Sequence, residues 1–189
     1  IGSGGLTVTG FNFQPDWLWM KQRDAAESHG TYDSVRGVTK SLRSNGNDAE
    51  DTRTEGITAF NSNGFTCGSD SRINPSGTHP MIAWGWKESA TAGFDIVTYT
   101  GTLSSTGVDT VSHSLSAVPS AILIKCRSHT ENWGIQMPST IGNSHQLQLD
   151  TDVAKIDKSG NGSMNAPTSS VFSINYSGQW GVNAKTYVA

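Results

Sequence analysis

The chain has 189 residues, 34% of them hydrophobic and 15% charged, with a formal net charge of −3. That length makes one medium domain or two small ones. The apolar content excludes a disordered segment, no apolar run of about 18 residues is present to span a membrane as a helix, and the lack of a basic stripe argues against a nucleic-acid partner. Helical periodicity is scarce. Short apolar or alternating runs bounded by Gly, Asn, Ser and Pro predict strands over residues 17–21, 64–67, 81–86, 94–100, 108–112, 121–125, 133–137, 145–149, 170–174 and 186–189. The one helix expected covers 35–42, with Ser34 as its N-cap and Val35, Val38 and Leu42 on one side, although Gly37 works against it. Residues 48–55 are polar and read as an exposed loop. Residues 121–124 are apolar on both faces and predict a central, covered strand. His145-Gln146-Leu147-Gln148-Leu149 alternates, predicting one wet face and one dry face.

The chain also matches itself. Pro15-Asp16-Trp17-Leu18-Trp19-Met20-Lys21-Gln22-Arg23 aligns with Pro119-Ser120-Ala121-Ile122-Leu123-Ile124-Lys125-Cys126-Arg127. Lys40-Ser41-Leu42 then aligns with His145-Gln146-Leu147, Gly64-Phe65-Thr66 with Val171-Phe172-Ser173, and Met81-Ile82-Ala83 with Tyr187-Val188-Ala189. The order is kept and the offset drifts by only a few residues, which is the signature of duplication. The fold expected is therefore all-β, an antiparallel β-sandwich built from two diverged internal repeats. The first repeat is placed at 1–87, a linker at 88–92 and the second repeat at 93–189. Residues 93–101 open the second repeat without a counterpart in the first, so the matching strand is expected upstream of Ile1. Leu18, Phe65, Ile82, Ile122, Ile124 and Phe172 are the expected core.

Few residues sit at spacings that carry chemistry. Cys67 and Cys126 read as two buried free thiols, with a single bridge as the alternative. The five histidines are isolated, so no zinc site is expected. His113 reads as a hydrogen bonder at a strand end, and His29 as a loop residue ordering the turn after it. Asp157, Ser159 and Asn161, followed by Gly162, open like a calcium loop, but position twelve is Thr168 and no helices flank it. A Gly-rich hairpin tip is the favoured reading, with no metal and no other cofactor. In Tyr32-Asp33-Ser34-Val35-Arg36-Gly37, Asp33 reads as capping a turn and Arg36 as paired internally. No nucleophile elbow, phosphate loop or Cys/His pair is present, and no enzyme is expected.

The tryptophans carry the binding argument. Trp17 with Trp19, and Trp84 with Trp86, share strand faces and form stripes that serve either to stack sugars or to fill a core. Trp180 and Gln179, with Trp133 and Asn132, read as loop residues and as the better ligand-binding candidates.

His29-x-x-Tyr32-Asp33-Ser34-Val35-Arg36-Gly37, Leu42-x-Ser44-Asn45, Gly64-Phe65, Asn74-x-Ser76-Gly77 and Ile82-Ala83-Trp84-x-Trp86-Lys87 resemble a repeat of long virion proteins in tailed bacteriophages, especially marine ones. The second half resembles its partner module through Gly93-Phe94, Tyr99-Thr100-Gly101, Val111-Ser112-His113-Ser114-Leu115, Lys125-x-Arg127 and Ala166-Pro167-Thr168-Ser169-Ser170-Val171-Phe172. Ser112, Ser114 and Ser116 stand where that pattern usually has Gly. The resemblance implies a structural or attachment module of a tail fibre or appendage on the virion. Its implied partners are other virion proteins, copies of itself in a trimer, and a host-surface glycan. A stand-alone carbohydrate-binding module and a capsid decoration protein are the alternatives.

Overall fold

A computed structural model describes residues 4–159, 162–176 and 179–189. The chain divides into two compact units. The first comprises Ile1–Asn45 and Glu50–Glu88, and the second comprises Gly46–Ala49 and Ser89–Ala189.

In the first unit the strands are β1 (Leu6–Thr9), β2 (Trp17–Gln22), β3 (Gly30–Asp33), β4 (Lys40–Ser41), β5 (Asp51–Thr52), β6 (Ile57–Asn61), β7 (Gly64–Cys67) and β8 (Met81–Trp86). They pair antiparallel in the orders β1-β7-β6, β3-β2-β8 and β4-β5. Leu42, just after β4, bridges to Thr31 of β3. Period-two alternation decides the faces of β2: Leu18, Met20 and Gln22 are buried, while Trp17, Trp19 and Lys21 point the other way and are half-buried. Leu18, Met20 and Tyr32 of one sheet share a buried cluster with Ile57, Phe65 and Cys67 of another, and with Ile73. Each such side chain contributes about 1.5–3 kcal/mol by leaving water.

In the second unit the strands are β9 (Thr98–Thr100), β10 (Val108–Ser112), β11 (Ile122–Cys126), β12 (Gly134–Gln136), β13 (His145–Gln148), β14 (Ile156–Asp157), β15 (Met164–Asn165), β16 (Val171–Asn175) and β17 (Thr186–Val188). One short helix, α1 (Pro138–Ile141), lies between β12 and β13. The orders are β10-β16-β15 and β14-β13-β12-β11-β17-β9, all antiparallel. The core gathers Val111, Ile122, Ile124, Cys126, Met164, Phe172, Ile174, Trp180 and Tyr187. Both cysteines are free and buried.

The all-β expectation stands, and several finer expectations do not. Residues 35–42 form no helix: turns run up to Thr39 and lead into β4, because Gly37 (φ 91°) and Thr39 (φ 68°) adopt left-handed backbone that an α-helix forbids. Only Thr98–Thr100 of the predicted 94–100 strand is a strand, and Phe94 instead exchanges backbone hydrogen bonds with Ser89. Residues 88–92, expected as a linker, thus run into a closed turn.

Residues 48–55 are more than a loop. They include β5, and Glu50 and Asp51 pair with Arg36 and with Arg53 and Arg72. Ile82 is half-buried rather than in the core, because it stands opposite Lys21 on the outer face. In β13 the polar Gln146 is the buried residue, and Leu147 is only half-buried. Gln146 donates to Gln179 Oε1 at 3.5 Å, so an amide contact at that place overrides the side-chain alternation.

Candidate functional site

The outer face of β2 and β8 carries the most open aromatic surface described in the first unit. Antiparallel register sets Trp17 opposite Trp86 and Trp19 opposite Trp84, so the two stripes read from the sequence become one four-indole sheet face. Trp17 lies 4.5 Å from Trp86 and 5.8 Å from Trp19 between ring centroids, and Trp19 lies 6.1 Å from Trp84. These are favourable offset and tilted aromatic pairs. The small residues on the opposite side explain why the indoles stay outside. At Gly85 a Cβ would meet the Phe11 ring at 2.5 Å, so the inner face of β8 has no room for side chains of that size. Trp84 remains 45% exposed.

Trp19, Trp84, Trp86, Lys21 and His29 enclose a groove of about 330 Å³. Lys21 reaches it because it stands two residues after Trp19, on the same face. Its Nζ donates to the carbonyls of Gln22 and Ala25, each at 2.7 Å. His29 precedes β3. Its backbone N–H donates to Asn45 Oδ1 at 2.9 Å, and its Nδ1 lies 3.2 Å from Ser44 Oγ. The Trp19 indole N–H donates to the same Nδ1 at 3.4 Å. An indole can only donate, so Nδ1 accepts and the neutral ring carries its proton on Nε2. Burial, seconded by the Lys21 charge, holds the His29 pKa below its ordinary value.

Sequence reasoning found the four tryptophans but left this face second to the loop tryptophans, and it used Lys21 only as a marker of the repeat. The side-chain period of β2 would have added Lys21 to the stripe, whereas no local signal brings His29 there.

Trp180, the leading candidate from sequence, is fully buried. The exposure expected of it is corrected by Gly134. A Cβ at that position would fall 1.5 Å from an indole ring carbon of Trp180, so the indole lies against bare backbone inside the core. Trp133 is buried as well, at 5% exposure, and its backbone N–H donates to Asp150 Oδ1. Gln179 and Asn132 do come together, through Gln179 Nε2 and the Asn132 carbonyl at 3.5 Å. With both indoles inside, the group offers no stacking surface.

Asp157 is exposed, and its Oδ1 accepts from the Ser159 backbone N–H at 2.8 Å. That bond holds its carboxyl below the usual range and closes a turn. The expected hairpin tip is corrected, because β14 pairs with β13 and β15 with β16, so the loop passes between two strand arrangements. Asn161 lies outside the described residues. Among the described residues no three His, Cys, Asp or Glu side chains cluster to hold a metal.

The Tyr32–Gly37 string is structural. Asp33 caps the turn through the Arg36 N–H at 2.7 Å and also pairs with the Arg36 guanidinium. Arg36 reaches Glu50 at 3.1 Å and the Thr31 carbonyl at 3.2 Å. Tyr32 donates to Asp70 at 3.3 Å, and burial pushes its phenol up to about 12. His113 bonds the Thr168 carbonyl and accepts from the Leu115 N–H, closing the end of β10.

The model of a domain of unknown function, DUF7483, matches residues 2–189. The chain belongs to the DUF7483 family. No curated protein matches this DUF7483 chain, and neither does any solved structure.

Proposed function

We propose that this DUF7483 chain is a non-enzymatic attachment module that holds a saccharide in the tryptophan groove of its first unit. The observation that carries this reading is the open, almost wholly apolar face of Trp19, Trp84 and Trp86. Indole faces stack on the apolar faces of sugar rings. The groove is lined by indoles, one lysine and one histidine, whereas glycoside hydrolysis uses a carboxylate pair.

The same proposal takes the two units as diverged copies of one antiparallel sandwich. Three observations support the duplication. The pairing orders β1-β7-β6 and β10-β16-β15 correspond strand for strand, as do β3-β2-β8 and β12-β11-β17. The registers correspond too: Met20 pairs with Gly30 and Ile124 with Gly134, while Lys21 pairs with Ile82 and Lys125 with Val188. Finally, Ile73 packs over Gly30 as Trp180 packs over Gly134, in the connection before each last strand. Within each unit, the buried cluster draws on both three-stranded arrangements, which is the packing of a sandwich.

The motif resemblance to tailed-phage virion proteins supplies the setting: a tail fibre or appendage in which copies of the chain, a trimer by the symmetry common to fibres, multiply weak sites into avidity. A glycan array tests the binding. Expected is reproducible binding by the wild-type chain, lost in Trp84→Ala and Trp19→Ala variants that retain the wild-type melting temperature. Binding undiminished in both variants, or turnover of the bound polysaccharide, overturns the reading.

A further inference from the structure

We infer that the outer edge of β8 accepts one more antiparallel strand, an extended peptide segment from outside residues 1–189 that sets an aliphatic residue against Ala83 and, two residues on, an aromatic one against Met81. The inference rests on the correspondence of the two units, not on the saccharide reading.

Backbone alternation decides what β8 offers. The Arg23 N–H donates to the Pro80 carbonyl at 2.9 Å and the Asp16 N–H to the Trp86 carbonyl at 2.8 Å. Even-numbered residues of β8 therefore turn their peptide groups to β2, and Met81 and Ala83 turn theirs to the other side. Among the described residues no strand pairs there, since the order ends at β8. The opposite edge of the same arrangement is closed, because Thr31 of β3 exchanges backbone hydrogen bonds with Leu42. Edge strands left to solvent are usually short, bulged, or broken by a charge or a proline. β8 is the longest edge strand among the described residues, pairs with β2 along its whole length without a shift, and carries no charge and no Pro.

The second unit holds the kind of strand such an edge receives. β17 takes in β12-β11-β17 the place of β8 in β3-β2-β8, and there the order continues into β9. Tyr99 of β9 stands opposite Tyr187, with the rings stacked at 4.9 Å between centroids. Val97, two residues earlier, exchanges backbone hydrogen bonds with Ala189, both at 2.9 Å. Val97 and Tyr99 both pack on the core of that unit. Since Lys21 pairs with Ile82 as Lys125 pairs with Val188, Met81 matches Tyr187 and Ala83 matches Ala189. The matched residues differ in burial as a missing cover requires: Tyr187, covered by Tyr99, is fully buried, while Met81 is half-buried at the rim of its own core. A segment with the aliphatic-x-aromatic spacing of Val97-Thr98-Tyr99 closes that rim, its main-chain hydrogen bonds supplying affinity and its two side chains the register.

Amide hydrogen exchange and a graft test the inference. In the wild-type chain the Tyr187 and Ala189 amides are expected to exchange about a hundredfold more slowly than those of Met81 and Ala83. A copy of residues 93–103 is then fused directly before Ile1. By their numbering this sets the copied Tyr99 as far ahead of Val8 as Tyr99 is ahead of Val111, and Val8 pairs with Phe65 as Val111 pairs with Phe172. The graft is expected to slow the Met81 and Ala83 amides about tenfold or more and to raise the melting temperature. The same graft carrying Val97→Ser and Tyr99→Ser is expected to do neither. Exchange at Met81 and Ala83 that the unaltered graft leaves unchanged overturns the inference, and so does equal protection by both grafts; slow exchange at Tyr187 and Ala189 then keeps the correspondence of the units standing. Fast exchange at all four amides in the wild-type chain overturns the correspondence and the inference with it. Protection of Met81 and Ala83 in the ungrafted chain, as a monomer or as a dimer, also overturns the inference, because the edge is then already covered.

Discussion

Lys21 closes the apolar stretch of β2, and Lys125 closes that of β11. Each donates to the carbonyl of the residue after it, at 2.7 Å from Lys21 to Gln22 and 3.0 Å from Lys125 to Cys126. Around Lys21 the face is open: the side chain is half-buried and tryptophans flank it. Around Lys125 it is closed. Lys125 is fully buried, and its remaining described contact is the Asn47 carbonyl at 3.1 Å, from the four-residue segment Gly46–Ala49 of the same unit. Burial lowers the Lys125 pKa, with the charges of Asp150, Glu131 and Asp48 acting against that shift. In both strands the chain supplies its own oxygens to the lysine: Lys21 also donates to the Ala25 carbonyl at 2.7 Å. What differs is the surroundings, a half-buried place among indoles for Lys21 and a fully buried one for Lys125.

The strongest break in this comparison lies one pair further along. Gly134→Ala is expected to destabilise the chain by about 3 kcal/mol or more, because the new methyl overlaps a fully buried indole that has no room to move. Gly30→Ala meets Ile73 and Tyr32 at 3.1 Å, and about 1 kcal/mol is expected. Urea unfolding of both variants checks the ordering, and a milder effect at Gly134 would show that Trp180 is not the plug of its unit. The lysines come next. Lys125→Ala removes a fully buried side chain together with its bonds to the Cys126 and Asn47 carbonyls and is expected to cost about 2–3 kcal/mol, whereas Lys21→Ala, at a half-buried position, is expected to cost about 1 kcal/mol or less. Equal unfolding midpoints for the two would erase the distinction between the buried and the half-buried lysine.

The smallest effect is a pH dependence. The folded His29 pKa lies below its unfolded value of 6.5, so the unfolded chain binds this proton more readily. The stability contributed by the neutral ring is complete above 6.5 and is lost as pH falls through the lower folded value. A proton on Nδ1 also breaks the Trp19 indole hydrogen bond. Melting temperatures between about pH 7.5 and about pH 5 are expected to fall faster for the wild type than for His29→Gln, with the gap closing at the alkaline end. Parallel curves would free Trp19 from any dependence on the imidazole.

Strands were legible where apolar spacing and turn residues agree, as in β2, β7, β11 and β16, because local periodicity decides which face leaves water. Ser34–Leu42 misled because one apolar side suggests a helix, while the outcome depends on left-handed backbone at Thr39 that its side chain does not advertise. Trp180 misled for another reason. A tryptophan between Gly residues looks exposed, and the void that receives it is the missing side chain of Gly134, 46 positions earlier by their numbering. Gln146 is buried by its contact with Gln179, which no alternation rule encodes. The tryptophan face was readable strand by strand, but the pairing of β2 with β8 that merges the two stripes is a long-range fact.

The free cysteines have a practical consequence. Cys67 sits in the core of the first unit and Cys126 in the core of the second, at 1% and 0% exposure. A thiol reagent reaches neither until its own unit opens. In Cys126→Ala the labelling rate of the remaining thiol therefore clocks opening of the first unit, and in Cys67→Ala that of the second. The molecule carries one silent stopwatch per half, so a ligand seated in the tryptophan groove should slow the Cys67 clock and leave the Cys126 clock running at its own pace.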